Sequence, residues 1–184
     1  MPRIQEIEEP GNDPILTDVY AKEREVFGFV LNTTKIQAHR PGIMKAAKAL
    51  SMAVEKSGLL PPQLLALVYL RVALINGCPF RIDINASRGM QAGASEDKVR
   101  QVERAAESPL FTDRERVALR YAEAMTITGE KVTEGLFGRI RGHFSQTEIV
   151  ELTAAVALEN FRSKFNVALG IEAQGFCVLG KHPA

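Results

Sequence analysis

Cys78 lies in the stretch Asn76-Gly77-Cys78-Pro79-Phe80-Arg81-Ile82-Asp83-Ile84-Asn85, behind a glycine and ahead of a proline. A thiolate, not a thiol, is the nucleophile, and helix N-termini and nearby cations favour it. A helix that starts at Cys78 or Pro79 would turn unpaired N–H groups and the positive end of its dipole toward the sulfur. At about 100° per residue, Arg81 falls about 300° and Asn85 about 340° round from Cys78, so a regular helix places all three on one face. Arg81 is then within reach of the sulfur and able to help hold it ionised. The chemistry open to this set is nucleophilic attack by Cys78, with the thiol titrating below its ordinary value. The competing expectation is a buried, inert cysteine, a common fate of this residue type. Asp83 falls about 140° away on the same helix and is expected at a solvent or interface contact.

The remaining chemistry-bearing residues are few. Cys177, in the tail GFCVLGKHPA, is the only other cysteine. Two cysteines make no disulfide framework, and both are read as reduced thiols of a cytoplasmic protein. Cys177 would resolve an oxidised Cys78 only if the tail reached the site. Of three histidines, His39 opens a His-Arg-Pro segment, His143 follows a glycine at a helix end, and His182 is in the tail. No two of them have metal-ligand spacing, and there is no Gly-rich phosphate loop or nucleophile elbow. Neither a metal nor a cofactor is expected.

Helices must position these residues. Ile15, Leu16, Val19, Tyr20, Val26 and Phe27 form a helical stripe over 14–27, stopped by Gly28. Ile43, Ala46, Ala47, Leu50, Ala53 and Val54 repeat it over 42–57. Pro61 and Pro62 open a helix over about 62–76 that is apolar nearly all round, which places it at the centre of the fold. The Cys78 helix ends by Gly93, and Ser95 caps a short charged helix. Thr112 with Glu115, and Ser145 with Glu148, read as capping boxes for helices at about 113–127 and 146–169, with a shorter one after Thr133 between them. No alternating strand is found. The class is all-α, a compact bundle of seven or eight helices in one domain, 1–184, with a core over about 14–171. An irregular arm precedes that core, and a tail docks through its apolar residues. VALIN at 72–76 echoes VALEN at 156–160, read as two similar buried helices rather than a duplication.

Composition narrows the partners. The chain has 184 residues, 46% apolar and 24% charged, with a net charge of +1. No Lys/Arg block or strong field exists to recruit nucleic acid. The start, MPRIQEIEEPGNDP, lacks the apolar core of a secretory signal. The longest apolar run, LLPPQLLALVYL, is broken by prolines and too short to span a bilayer. Neither nucleic acid nor membrane is an expected partner.

LRVALINGCPFRIDIN resembles the signature of the carboxymuconolactone decarboxylase and alkyl hydroperoxidase D-like family, an apolar helix followed by Asn-Gly-Cys-x-x-Cys-x-x-x-His. The stretches VYAKEREVFGFVLNTTKIQAHRPGIMKAA, SPLFTDRERVALRYAEAMT and HFSQTEIVELTAAVALENF are also similar to the family, and together the likeness covers roughly 14–171. The resemblance implies the bundle type, and trimers or hexamers of the chain. For the hydroperoxidase type it implies two motif thiols, a histidine and a glutamate on the preceding helix. Cys78 holds the first thiol position, but Arg81 stands at the second, Asn85 at the histidine and Ala66 at the glutamate. His39 lies in a stretch that the resemblance puts near the pocket, where it either lines the substrate site or caps local backbone. The implied function is a one-cysteine antioxidant thiol peroxidase acting on a small peroxide. In it Cys78 attacks, Arg81 steadies the thiolate and an external thiol reductant completes the cycle. Two alternatives stand beside it: a decarboxylase or lactone-processing relative in which Arg81 binds a substrate carboxylate, and an oligomeric scaffold whose site has decayed.

Overall fold

The computed structural model describes residues 1–177, and His182 with the rest of 178–184 lies outside them. Among the described residues there are nine α-helices, a 3-10 turn at Val102–Arg104 and no strand. In chain order the helices are α1 Pro14–Phe27, α2 Asn32–Gln37, α3 Pro41–Glu55, α4 Pro62–Ile75, α5 Pro79–Gln91, α6 Glu96–Arg100, α7 Asp113–Thr126, α8 Glu134–His143 and α9 Gln146–Leu169. The expected count of seven or eight falls short by α2. That helix has six residues and no side-chain cap, so neither periodicity nor capping chemistry marks it.

The helix starts follow their caps. Asp13 accepts the N–H groups of Ile15 and Leu16 at the head of α1. Thr112 with Glu115 and Ser145 with Glu148 close full capping boxes on α7 and α9. Ser95 and Thr133 cap α6 and α8.

Nine of the fourteen residues of α4 are buried, and it packs against α5, α7 and α9. Full burial of a Leu or Val side chain stabilises by about 1.5–3 kcal/mol, so this central helix supplies much of the cohesion. α3 lies along α9, α1 and α2 lie on α3, and α8 closes against α7 and α9. The two echoed segments are neighbours: Asn76 Nδ2 donates to Asn160 Oδ1 at 3.0 Å. No helix among the described residues is long and apolar enough to cross a membrane.

The irregular N-terminal arm is tied down. Arg3 N–H donates to Leu169 O at 2.8 Å, and the Tyr20 hydroxyl to Ile7 O at 2.5 Å. At the other end Asp83 of α5 gathers the backbone. Its carboxylate accepts the N–H groups of Gln174, Gly175, Phe176 and Cys177 at 2.7–3.0 Å. Asp83 therefore holds the tail, a contact within the chain. The helix face seen in the sequence is correct, but the strand of backbone laid on it was not legible.

Candidate active site

The turn between α4 and α5 sets the position of Cys78. Gly77 adopts φ 61°, its N–H donates to Leu74 O, and the Cys78 N–H donates to Ala73 O at 3.0 Å. This is a Schellman ending of α4, and glycine suits it because a side chain is strained at that φ. Cys78 is extended and is at the same time the N-cap of α5, with Pro79 as its first helical residue. The thiol thus lies where one helix ends and the next begins, fully buried among Leu31, Ile36, Phe80, Ile84 and Ile171.

Arg81 and Asn85 share its face of α5, as the spacing predicts, but both are buried and tied to a residue that the sequence reading missed. Glu159 of α9 is 0% exposed, and Arg81 is 6% exposed. Arg81 Nε donates to Glu159 Oε1 at 2.8 Å and Nη2 to Oε2 at 2.7 Å, while Nη2 also donates to Asn85 Oδ1 at 3.0 Å. Asn85 Nδ2 returns to Glu159 Oε1 at 3.1 Å, and the Ser163 hydroxyl reaches it at 3.3 Å. The available signal was a glutamate set in the apolar run Ala155-Val156-Ala157-Leu158 of a long helix.

Charges follow from this packing. Burial disfavours the Arg81 charge, but the Glu159 carboxylate outweighs it and raises the Arg81 pKa. For the Cys78 thiol, burial is the largest influence and pushes its pKa up. The Arg81 backbone N–H works the other way, Glu159 adds to the rise, and the Arg81 charge and the Asn166 amide oppose it. The net direction is upward, opposite to the lowered thiol that a helix start beside an arginine predicts. The arginine is present, but its charge is already matched by Glu159.

A cavity of about 180 Å³ adjoins this cluster. Phe80, Arg81 and Ile84 wall it from α5, Lys48 and Ser51 from α3, and Arg162 and Asn166 from α9. Asn166 faces both the cavity and the Cys78 sulfur.

The other predicted positions lie apart. His39 is exposed, outside the lining of this cavity, and its Nε2 pairs at 2.8 Å with the Gln5 carbonyl of the N-terminal arm rather than with local backbone. Ala66 is buried in α4 and lines a second cavity of about 670 Å³ with Tyr69, Arg88 and Gln91. Arg88 borders both cavities. The tail does reach the neighbourhood: Phe176 packs edge-on to Phe80 at 6.1 Å, while Cys177 is half-buried against the main core. His143 ends α8, exposed, where a cation suits the helix dipole.

The family model described as the carboxymuconolactone decarboxylase family matches residues 41–124. The uncharacterized protein YnjA of Escherichia coli strain K12 is 40% identical over 118 residues, which is 64% of this chain and 65% of that protein. The match thus spans just under two thirds of that relative. Among solved structures, the protein of unknown function ATU0492 from Agrobacterium tumefaciens, suggested to be an antioxidant defence protein AhpD, is 31% identical. It aligns with a TM-score of 0.72 over 76% of this chain and 95% of that one. An uncharacterized peroxidase-related protein with an AhpD core from Ralstonia eutropha JMP134 is 20% identical. Its TM-score is 0.82 over 100% of this chain and 98% of its own, a likeness of fold alone.

Proposed function

Because the chain belongs to the carboxymuconolactone decarboxylase and alkyl hydroperoxidase D-like family, we propose that it is a slow one-cysteine thiol peroxidase with Cys78 as its nucleophile. The observation that carries this reading is the seat of the sulfur. It is buried at the N-cap of α5, where the Arg81 backbone N–H and the Asn166 amide favour the thiolate, and its neighbours Phe80, Arg81 and Asn166 wall a cavity. In the step, the Cys78 thiolate attacks one peroxide oxygen. The S–O bond forms, the O–O bond breaks, and the leaving alkoxide takes a proton from water. One external thiol then converts the sulfenic acid to a mixed disulfide with loss of water, and a second releases Cys78 and carries the disulfide away. A reducing cytoplasm would supply that thiol. Arg81 cannot resolve the sulfenic acid as a second cysteine would, and Ala66 and Asn85 cannot titrate, so the rate lacks an internal proton relay. The rival reading, Arg81 on a substrate carboxylate, requires Arg81 to let go of Glu159.

The reading includes self-association. Ile43, Leu50, Val150 and Phe161 are exposed along α3 and α9, beside the small Ala46, Ala47, Ala154 and Ala157. Large and small apolar residues on one patch can interlock with a second copy of the same patch. The occupant proposed is another copy of this chain, in a trimer or hexamer.

Peroxide consumption with dithiothreitol as reductant, together with dimedone capture of a sulfenic acid on Cys78, tests the activity. Both are expected in the native chain and absent in Cys78→Ser. A native chain that shows neither overturns the proposal and leaves the scaffold.

A further inference from the structure

Cys78 is 0% exposed, and it is not among the residues that wall the adjoining cavity. Any reagent that meets the sulfur needs part of its cover to move. That cover is a small apolar cluster, separate from the main core, of Leu31, Ile36, Phe80, Ile84 and Ile171, with Phe176 among the residues packed against it. Ile171 and Phe176 both come from the tail that follows α9.

The tail differs from the rest of the cover in how it is held. Leu31 and α2 are anchored to buried groups: Glu23 accepts the Leu31 N–H at 2.9 Å and the Thr34 hydroxyl at 2.7 Å, and the Thr33 hydroxyl donates to Asn166 at 2.9 Å. Phe80 and Ile84 belong to α5, which packs along the central α4. From Ile171 to Cys177, only Ile171 is buried. This segment is tied by the Asp83 carboxylate and by the Gln174 side chain, whose Oε1 accepts the Asn32 N–H at 2.7 Å. Phe176 adds edge-on contacts with Phe80 at 6.1 Å and Phe27 at 5.9 Å. The ion pair of the Met1 amino group with Glu172 is exposed and contributes little. Segments with few buried contacts open at low free energy, ahead of the core. Gly170, at φ 67°, ends α9 and provides a pivot. Arg3 bonds to Ala168 O and Leu169 O, before that pivot, so the end of α9 stays fixed when the tail moves.

We propose that residues 171–177 are a strap that opens as a unit about Gly170 and sets the access of small molecules to Cys78, with Asp83 as its latch. One carboxylate holds four successive N–H groups, so the segment makes or loses those bonds together. Opening also breaks the bond from the Ile171 N–H to Asn166 O at 3.0 Å. It withdraws Ile171 and Phe176 from the cluster and uncovers the sulfur, while the Arg81–Glu159 pair and the packing of α4 stay in place. The strap deepens the peroxidase reading by stating how the peroxide, and then the reducing thiol, reach Cys78 past one cover. It rests on that reading only for what Cys78 does once reached.

Alkylation of Cys78 by iodoacetamide tests the strap, in the full chain with Cys177→Ser, at one fixed pH and with no peroxide present. Opening of a short segment exposes little surface, so the rate is expected to be nearly flat in urea well below the unfolding transition. It should also lie at least tenfold below the rate of the urea-unfolded chain. A rate that follows the full urea dependence of unfolding shows that the whole fold must open, and a rate equal to that of the unfolded chain shows that nothing covers the thiol. Either result overturns the strap, and neither needs a further variant to fold. Phe176→Ala and Asp83→Ala are each expected to raise the rate tenfold or more at low urea. Leu31→Ala, on the α2 side, probes the other route. Acceleration there, with none in either tail variant, overturns the strap as well. Peroxide consumption is measured separately: gated alkylation without turnover sinks the peroxidase alone, and turnover with ungated alkylation sinks the strap alone.

Discussion

Arg81 and Glu159, 78 residues apart in the chain, meet in a two-pronged ion pair with N–O distances of 2.8 and 2.7 Å, both side chains buried. The pair fixes what surrounds Cys78. It aligns the head of α5 with α9, orients the Asn85 amide between them, and cancels the cation that would otherwise ionise the sulfur.

Cys78 is therefore expected to titrate above the ordinary thiol value of about 8.5. Alkylation rate against pH, in a Cys177→Ser background, measures it. Glu159→Gln removes a charge that raises the thiol and leaves Arg81 uncompensated, so the midpoint should fall. A midpoint at or below 8.5 in the parent, or no fall in the variant, contradicts this account of the site. The sign also reaches stability. The folded thiol holds its proton where the unfolded thiol has lost it, so its contribution is full below about pH 8.5. That contribution declines as pH rises from there through the folded value.

Removing one partner of the pair should be costly. Arg81→Met or Glu159→Met leaves a buried charge uncompensated and should lose about 3–5 kcal/mol in urea denaturation. The double substitution should lose much less than the sum of the two. Additive losses would mean that the two side chains do not depend on each other.

Arg81→Cys should restore a Cys-x-x-Cys pair, but only once Glu159 is neutralised. Alone it strands the Glu159 carboxylate and destabilises the fold. With Glu159→Gln and Cys177→Ser it should form a reversible disulfide with Cys78, seen as the loss of two titratable thiols under oxidation. If the combined variant folds and both thiols persist, positions 78 and 81 do not approach as a redox pair.

Asp83→Ala removes one acceptor from four N–H groups at once. Hydrogen bonds to charged groups contribute about 1.5–3 kcal/mol, so residues 174–177 should lose most of their amide protection in hydrogen exchange while α4 keeps its own. Unchanged protection at 174–177 would show that Phe176 packing alone retains the tail.

Leu50→Glu with Phe161→Glu places charge on the exposed apolar face of α3 and α9. Sedimentation should show the native chain above its 20.2 kDa monomer mass and the variant shifted toward it. A native chain that stays monomeric at micromolar concentration removes the self-association proposal.

Local chemistry alone carried the helical class, most helix ends and the shared face of Cys78, Arg81 and Asn85. Capping pairs such as Thr112 with Glu115, the glycine stop at 28, and a 3.6-residue period all act within a few residues, so the chain spells them out. The short α2 left no such mark. The tertiary structure decided everything that depends on which helix lies across from which. Helical period says that Arg81 faces inward, but not that Glu159 waits there. It sets Asp83 on another face, but not that the tail's N–H groups come to it. The same spacing that suggests an activated thiol also fits a buried one. Depth of burial and the charge on α9 choose between them, and both arise from contacts across more than 70 residues of chain.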